Sequence, residues 1–178
     1  MKDSTRHQGM RRQLIAQLKA TGITDKELLD ALMNVPRHWF FDSGFLEHAY
    51  EDKAFPIGAG QTISQPFTVA YQSQILEVKR GMKVLEVGTG SGYQASILLE
   101  MGARVFSIER QKELFDKAND LFRKLNYNPK LFYGDGYKGL PTYAPFDRII
   151  VTAGAPEIPE QLLDQLTPDG IMVIPVGE

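Results

Sequence analysis

The sequence contains no cysteine among its 178 residues. This absence excludes disulfide bonds, thiolate metal sites and cysteine nucleophiles. It also fits the reducing environment of the cytoplasm, where we expect the protein to act. No residue pattern in the sequence suggests a metal site.

The sequence also lacks an excess of charge and a long apolar run. Lysine and arginine total 20 and aspartate and glutamate 22, which gives a formal net charge of -2. Such a balance provides no general attraction for a phosphate backbone, so we expect no nucleic-acid partner. No stretch approaches the roughly 20 apolar residues of a membrane span, and the charged start is not followed by a signal-peptide core. We therefore expect neither membrane association nor export.

The composition is that of an ordinary globular protein, with 43% hydrophobic and 24% charged residues. A chain of this length is enough for one compact domain with a substantial core. We predict a single domain, residues 1–178, acting as a monomer. Within it, residues 1–80 form a helical and loop region and residues 81–178 form a second, alternating region.

Helical spacing marks the first region. Met10, Leu14, Ile15 and Leu18 predict a helix that ends near Gly22. A second helix begins with the capping-box pattern of Thr24 and Glu27 and ends at Pro36. Periodicity then fails between positions 41 and 65, which predicts a loop, and Pro66 suits the first turn of a third helix.

The second region alternates β-rich runs with helical patterns, as parallel βαβ units do. Predicted strands cover 83–87, 104–109, 130–133, 147–152 and 171–176, and predicted helices cover 93–101, 112–125 and 159–166. Right-handed crossovers between such strands give an α/β, Rossmann-like, doubly wound sheet.

A glycine-rich loop follows the first of these strands, in the run E-V-G-T-G-S-G that contains Glu86, Gly88, Gly90 and Gly92. Glycines at a strand-to-helix turn let the backbone approach a nucleotide-like ligand closely. Dinucleotide folds use G-x-G-x-x-G, whereas the spacing here is G-x-G-x-G. Glu86 would repel a pyrophosphate and suits a cationic ligand better. The run resembles motif I of the seven-strand methyltransferases, which implies S-adenosylmethionine as cofactor and S-adenosylhomocysteine as its product.

Two further acidic positions complete the candidate cofactor site. Glu109 ends the second predicted strand, where an acidic residue can accept both ribose hydroxyls. Asp135 and Gly136 follow the third strand in a G-D-G turn, and the Asp135 carboxylate could accept a hydrogen bond from the adenine amino group.

Residue types exclude two classes of methyl transfer. C5-pyrimidine methyltransferases need a cysteine nucleophile. Adenine-type DNA methyltransferases carry an N/D-P-P-Y/F signature after the fourth strand, where this chain has T-A-G-A-P-E.

Several ordered motifs instead resemble the bacterial protein-L-isoaspartate O-methyltransferase family. They are V-P-R, P-I-G-x-G-Q-T-I-S-Q-P, E-x-G-T-G-S-G-Y-Q, G-D-G, A-P-F-D, L-x-P-x-G and P-V-G-E. The resemblance spans nearly the whole chain.

The resemblance implies that the substrate is a peptide or protein that contains L-isoaspartate, methylated on its free α-carboxyl to begin repair. Such a carboxylate is ionised at neutral pH, so catalysis needs positioned groups more than a general base. Ser64 matches the catalytic serine of the family, and Gly58, Gly60 and Thr62 would border the peptide. The three histidines, His7, His38 and His48, look like surface or packing residues. A purely structural role for Ser64 as a helix-entry residue stays open.

In one respect the chain departs from the family pattern, because the family fold continues through two more strands beyond P-V-G-E. Two alternatives therefore stand beside the repair enzyme. One is a different small-molecule or RNA methyltransferase that shares motif I. The other is a cofactor-binding module that has lost turnover together with those strands.

The loop spacing predicts which cofactor binds. We expect S-adenosylmethionine and S-adenosylhomocysteine to bind with micromolar-scale affinity and nicotinamide dinucleotides not to bind, because of the G-x-G-x-G spacing and Glu86. Isothermal titration calorimetry with each ligand measures this. Comparable binding of a dinucleotide would contradict the prediction.

Overall fold

The computed structural model of this protein describes residues 2–177. Within them the chain forms six α-helices and seven β-strands, joined in places by short 3-10 helices. In chain order these elements are α1 (Thr5–Ala20), α2 (Lys26–Asn34), β1 (Phe55–Gly58), β2 (Gln61–Ile63), α3 (Pro66–Leu76), β3 (Lys83–Val87), α4 (Tyr93–Glu100), β4 (Arg104–Glu109), α5 (Lys112–Leu125), β5 (Lys130–Tyr133), β6 (Phe146–Val151), α6 (Glu160–Leu163) and β7 (Leu166–Val173).

The cap of α2 differs from the prediction. The side chain of Asp25, not that of Thr24, accepts the N–H of Leu28 at 3.1 Å and caps the helix. The N–H groups of Thr24 and Asp25 both donate to Oε1 of Gln74 on α3, at 2.7 and 3.0 Å. This long-range contact holds the residues before the helix, so that the cap falls one residue later than the capping-box pattern suggested.

The segment predicted as a loop is partly ordered, and that prediction was wrong. A 3-10 helix, Arg37–Phe40, directly precedes it, a second one, Ser43–His48, lies near its start, and β1 and β2 pair as an antiparallel hairpin at its end. Residues 58–60 form the turn, all three with positive φ. Strands of four and three residues are too short to show a period of two, so no strand signal was visible in the sequence here.

The other five strands form one parallel sheet in the order β5-β4-β3-β6-β7. This confirms the predicted doubly wound α/β fold. Strand order reverses beside β3, since β4 and β5 lie on one side of it and β6 and β7 on the other. In such sheets ligands bind beyond the carboxyl ends of the strands at this switch point.

Three of the five predicted strands have the predicted bounds, and the last two are shifted. β6 lies one residue earlier than predicted. β7 begins at Leu166, five residues earlier than predicted, and ends at Val173. The early start arises because Leu166 pairs with Phe146, ahead of a shift in the register between the two strands. The T-P-D-G sequence after Leu166 has no strand character, so only the pairing partner reveals this early start. α6 is correspondingly short.

Side chains of the sheet alternate between two hydrophobic clusters. Leu85 and Ile149 pack in the cluster that also contains Leu162 of α6. Val84 and Ile150 face the opposite way, into the larger cluster that also contains Leu18 of α1. The helical first region is therefore packed directly against one face of the sheet. No helix among residues 2–177 is both long and apolar enough to cross a membrane.

Arg148 of β6 joins the sheet to the end of α3. Its buried side chain donates from Nε to the Leu76 carbonyl at 2.6 Å and from Nη2 to the Glu77 carbonyl at 3.3 Å. These carbonyls belong to the last turn of the helix, where intrahelical donors run out. Arg148 therefore supplies donors that the helix end would otherwise lack.

We expect Arg148→Met to lower the free energy of unfolding by about 1–3 kcal/mol, because the buried Leu76 carbonyl and the partly buried Glu77 carbonyl lose a charged donor. Urea denaturation measures the change. Arg104→Met is the matched control, since Arg104 also donates Nε to a carbonyl, that of Gly81, but is exposed. Equal losses in the two variants would contradict the role assigned to Arg148.

Candidate active site

The glycine-rich turn after β3 depends on close approach to its neighbours. Gly88, Gly90 and Gly92 all have positive φ, at 96°, 53° and 86°. A Cβ added at Gly88 would lie 2.6 Å from Oγ1 of Thr152, and one added at Gly92 would lie 2.7 Å from Cζ of Phe122. A side chain at either position would push the turn away from the end of β6 or from α5.

Glu109 ties the end of β4 to this turn. Its carboxylate accepts the N–H of Gly90 at 2.9 Å through Oε2 and the N–H of Gln111 at 2.8 Å through Oε1. Each carboxylate oxygen has two lone pairs, so each retains capacity for one more hydrogen bond. Glu109 is 95% buried by its neighbours yet lines a cavity at this edge of the sheet.

A cavity of about 240 Å³ lies beyond the carboxyl ends of β3, β4 and β6. Seven of the residues predicted for the site line it, namely Thr62, Ser64, Gly88, Gly90, Glu109, Asp135 and Gly136. The glycine-rich turn, Glu109 and Asp135 thus line one part of the cavity, and residues 61–64, which comprise β2 and Ser64, line another. Residues far apart in sequence meet around a single space.

The G-D-G turn after β5 approaches the same space. The Asp135 side chain accepts the N–H of Tyr137 at 3.1 Å through Oδ1, which leaves Oδ2 outside this bond. A Cβ added at Gly136 would collide with Cγ1 of Val87, so this turn also requires glycine for its approach to β3.

Three predicted glycines lie outside the lining of the cavity. Gly92 precedes α4 and packs on Phe122. Gly58 and Gly60 shape the β1–β2 hairpin, where a Cβ added at Gly58 would lie 3.1 Å from Oε1 of Glu113. Space beside Gly60 is open. These glycines set the path of the hairpin that carries Thr62 and Ser64.

Ser64 is held by a buried arginine. Nη2 of Arg37 donates to the Ser64 carbonyl at 2.8 Å, and Nε donates to the Ala49 carbonyl at 3.0 Å. The Arg37 side chain is fully buried, with its guanidinium carbon 4.8 Å from the centre of the Tyr93 ring. The N-cap of α3 is Gln65, without a side-chain cap bond. The helix-entry role considered for Ser64 therefore has no support in the cap geometry.

Glu86 lies behind the glycine-rich turn and not in the wall of the cavity. Its side chain is fully buried in β3, and Oε2 accepts the hydroxyl proton of Ser107. Ser107 Oγ is in turn 2.6 Å from Oγ1 of Thr89, which does line the cavity. Burial raises the pKa of Glu86 to about 8, so the free carboxyl is mostly neutral at pH 7. Glu86, predicted from the sequence to repel a pyrophosphate and to suit a cationic ligand, therefore lies one layer behind the cavity wall.

Several lining residues were missed by the sequence analysis. Thr89, Tyr93 and Gln94 belong to the G-T-G-S-G-Y-Q run, and Thr152 directly follows β6. Gln94 is buried and donates from Nε2 to Oγ of Ser73 at 2.8 Å. Their position relative to the predicted strands could have identified them, because each residue lies at the carboxyl edge of the sheet or in the first turn of the helix that follows.

The histidines lie away from the cavity. His48 is exposed, whereas His38 is buried and stacks on His7 with ring centres 3.9 Å apart. Nδ1 of His38 is 2.8 Å from the Tyr50 hydroxyl. Within residues 2–177 there is no group of three or more histidine, aspartate or glutamate side chains placed to hold a metal ion.

The sheet order, the glycine-rich turn and the acid at the end of the next strand define a Rossmann-like methyltransferase fold. The chain belongs to the protein-L-isoaspartate(D-aspartate) O-methyltransferase family, whose sequence model matches residues 9–178.

Individual relatives agree with the family match. The chain is 62% identical to a protein-L-isoaspartate O-methyltransferase of Christiangramia forsetii, an alignment that covers 99% of this chain and 84% of the relative. A solved protein-L-isoaspartate O-methyltransferase superposes with a TM-score of 0.84 at 32% identity, over 93% of this chain and 55% of that one. A Plasmodium falciparum protein assigned to the same enzymes, solved with S-adenosylhomocysteine, gives 0.81 at 26% identity, over 94% and 84%.

Proposed function

We propose that this protein transfers a methyl group from S-adenosylmethionine to the free α-carboxylate of L-isoaspartyl residues in damaged proteins, which begins their repair. The observation that carries this proposal is that one cavity joins the glycine-rich turn and Glu109 to the segment of Thr62 and Ser64. A cofactor held on the first side would face a substrate held on the second. Membership of the family supports the same reaction.

The residues of the cavity fit the proposed cofactor. Glu109 keeps one lone pair on each oxygen after its two backbone bonds, which suits a pair of ribose hydroxyls. Asp135 lies one strand further along the same edge, where it would accept the adenine amino group. Gly88, Gly90 and Gly136 would keep the backbone close to the ligand. Gly92 packs the turn on Phe122, and the buried Glu86 lies behind the turn.

S-adenosylmethionine supplies an electrophilic methyl group on a positively charged sulfur. The substrate carboxylate is already a nucleophile at neutral pH, so the protein needs to align it and exclude water rather than remove a proton. Ser64 would donate its hydroxyl to one carboxylate oxygen and leave the other free to attack. Arg37 fixes the Ser64 backbone and places a buried positive charge behind it, which favours an anionic group in front.

The hairpin would form the peptide side of the cleft. Thr62 lines the cavity, and the open space beside Gly60 leaves room for a backbone. The partners are therefore isoaspartyl-containing peptides and proteins. We also propose that the chain acts as one domain and as a monomer in the cytoplasm, with the shared hydrophobic cluster of helices and sheet supporting the single domain.

Transfer of a labelled methyl group tests the reaction. An isoaspartyl peptide and its normal aspartyl twin are incubated with the protein and labelled cofactor, and base-labile methyl ester is counted. Methylation of the isoaspartyl peptide alone is the expected result. Equal labelling of both peptides, or labelling of neither, would reject the proposal.

The role of Ser64 gives the first variant. We expect Ser64→Ala to lower turnover about tenfold to a hundredfold, since losing one orienting hydrogen bond raises the barrier by roughly 1–3 kcal/mol. Cofactor affinity and fold should be nearly unchanged. Steady-state rates from pH 6 to 8 measure the effect, and Ser43→Ala, an exposed serine in the second 3-10 helix, is the control.

A constant loss across this pH range supports positioning. A loss that changes steeply with pH would indicate a general base instead. Full turnover in Ser64→Ala, or a loss explained by weaker cofactor binding alone, would reject the assignment.

The role of Glu109 gives the second variant. We expect Glu109→Ala to weaken S-adenosylhomocysteine binding by about 1–3 kcal/mol, because it removes a charged acceptor for two hydroxyls. Calorimetry gives the dissociation constant. Since Ala also frees the Gly90 N–H, Glu109→Gln serves as the comparison, as it keeps one acceptor oxygen for the turn. A folded Glu109→Ala protein with an unchanged dissociation constant would exclude the ribose contact.

A further inference from the structure

Glu86 is a carboxylic acid buried without a positive partner in the central strand of the sheet. Its side chain has no exposed surface, Oε2 accepts the Ser107 hydroxyl, and Oε1 has no hydrogen-bond partner among the described residues. A lone hydroxyl donor does not replace the hydration that a carboxylate loses on burial. The geometry therefore favours the neutral, protonated form in the free protein.

The groups that act on Glu86 together favour the same form. Burial is the main cause of its raised pKa, ahead of the hydrogen bond from Ser107 and the charge of Glu109 on β4. Glu109 is a second carboxylate and raises the pKa of Glu86 further, whereas Ser107 lowers it. No arginine or lysine among residues 2–177 contributes to the shift of the Glu86 pKa. The resulting pKa is about 8, with burial as the main cause.

Glu86 is nevertheless connected to the cavity. Ser107 Oγ and Thr89 Oγ1 are 2.6 Å apart, and Thr89 lies in the cavity wall between Gly88 and Gly90. Gln94 lines the same cavity, and its Oε1 is a second buried acceptor without a partner in the part of the chain that the structure describes. Gln94 Oε1 therefore offers an acceptor in the cavity wall to a hydrogen-bond donor of the ligand.

We propose that Glu86 holds a proton in the free protein and releases it to solvent when S-adenosylmethionine binds, so that the site senses the charge on the cofactor sulfur. This inference rests on the proposed function. A cation placed near a buried carboxyl favours its ionised form, and the new negative charge in turn stabilises the cation. The proton balance is one proton lost to the buffer for each Glu86 that ionises.

The same coupling distinguishes cofactor from product. S-adenosylmethionine carries an ammonium and a sulfonium against one carboxylate, whereas S-adenosylhomocysteine has lost the sulfonium charge. Methyl transfer therefore removes the cation that favoured ionised Glu86. Glu86 then takes a proton back from solvent, and the attraction between site and ligand falls. The residue thus favours cofactor over product as pH rises.

Calorimetry in two buffers with different ionisation enthalpies counts the released protons. At pH 7 we expect about one proton per S-adenosylmethionine and clearly less per S-adenosylhomocysteine, because the free carboxyl is mostly protonated there. The affinity for S-adenosylmethionine should tighten from pH 6 to 8, by up to about tenfold per unit. Glu86→Gln, which copies the neutral acid in shape, should remove both effects.

Glu100→Gln is the matched control, since Glu100 is a carboxylate at the far end of α4 that is bonded to Asn34. It should release protons as the unaltered protein does. Equal proton release for both ligands, or release that persists in Glu86→Gln, would overturn the proposal. If neither ligand binds, the proposed function fails together with this inference. If both ligands bind but proton release does not differ between them, only this inference fails.

The protonated state is also measurable without any ligand. Infrared spectra of the free protein at pH 7 should contain a protonated-carboxyl C=O band that Glu86→Gln lacks and Glu100→Gln retains. Because the pKa of Glu86 is raised in the folded protein, its contribution to stability is greatest at low pH and is lost as pH rises through about 8. Thermal unfolding of Glu86→Gln should lose this decline between pH 5 and 8. An unchanged spectrum and an unchanged decline would overturn the proposal even if the cofactor binds.

Discussion

Close backbone approach at the carboxyl edge of the sheet is the constraint on which the rest of the site depends. The turn after β3 lies against Thr152 at the end of β6, and the turn after β5 lies against Val87. Neither contact leaves room for a Cβ at Gly88 or Gly136. Because three strand ends converge in this way, their neighbouring polar groups open onto one cavity instead of separate grooves.

A second constraint acts from the other side, through a charge buried away from solvent. Arg37 crosses from the first 3-10 helix to the carbonyl of Ser64 and stacks over Tyr93 of α4. Burying a guanidinium is costly, and backbone carbonyls offset only part of that cost. An anion in front of Ser64 would offset more of it. The proposed carboxylate substrate thus fits the electrostatics of the fold as well as the family of the chain.

The sequence predicted best those features that local residues determine. β3, β4 and α5 have the predicted bounds because β-rich or amphipathic runs end there at glycine, asparagine or polar residues. Prediction failed where a distant residue decides the outcome. Gln74 sets the start of α2, the pairing of Leu166 with Phe146 sets the start of β7, and cross-strand pairing makes a hairpin from a segment without periodicity. Much of the candidate site could be listed in advance, yet Glu86 could not be placed behind the turn, because spacing does not reveal which face of a strand reaches the cavity.

Glu86 and Glu109 illustrate how the fold gives two similar residues different properties. Both are buried at the carboxyl edge of adjacent strands. Glu109 accepts two backbone N–H groups, whereas Glu86 accepts one hydroxyl and has the second carboxylate, Glu109, nearby. Environments that separate two acids in this way commonly assign them different tasks. Here Glu109 can accept fixed hydrogen bonds, and the proton proposed for Glu86 would exchange when the charge in the cavity changes.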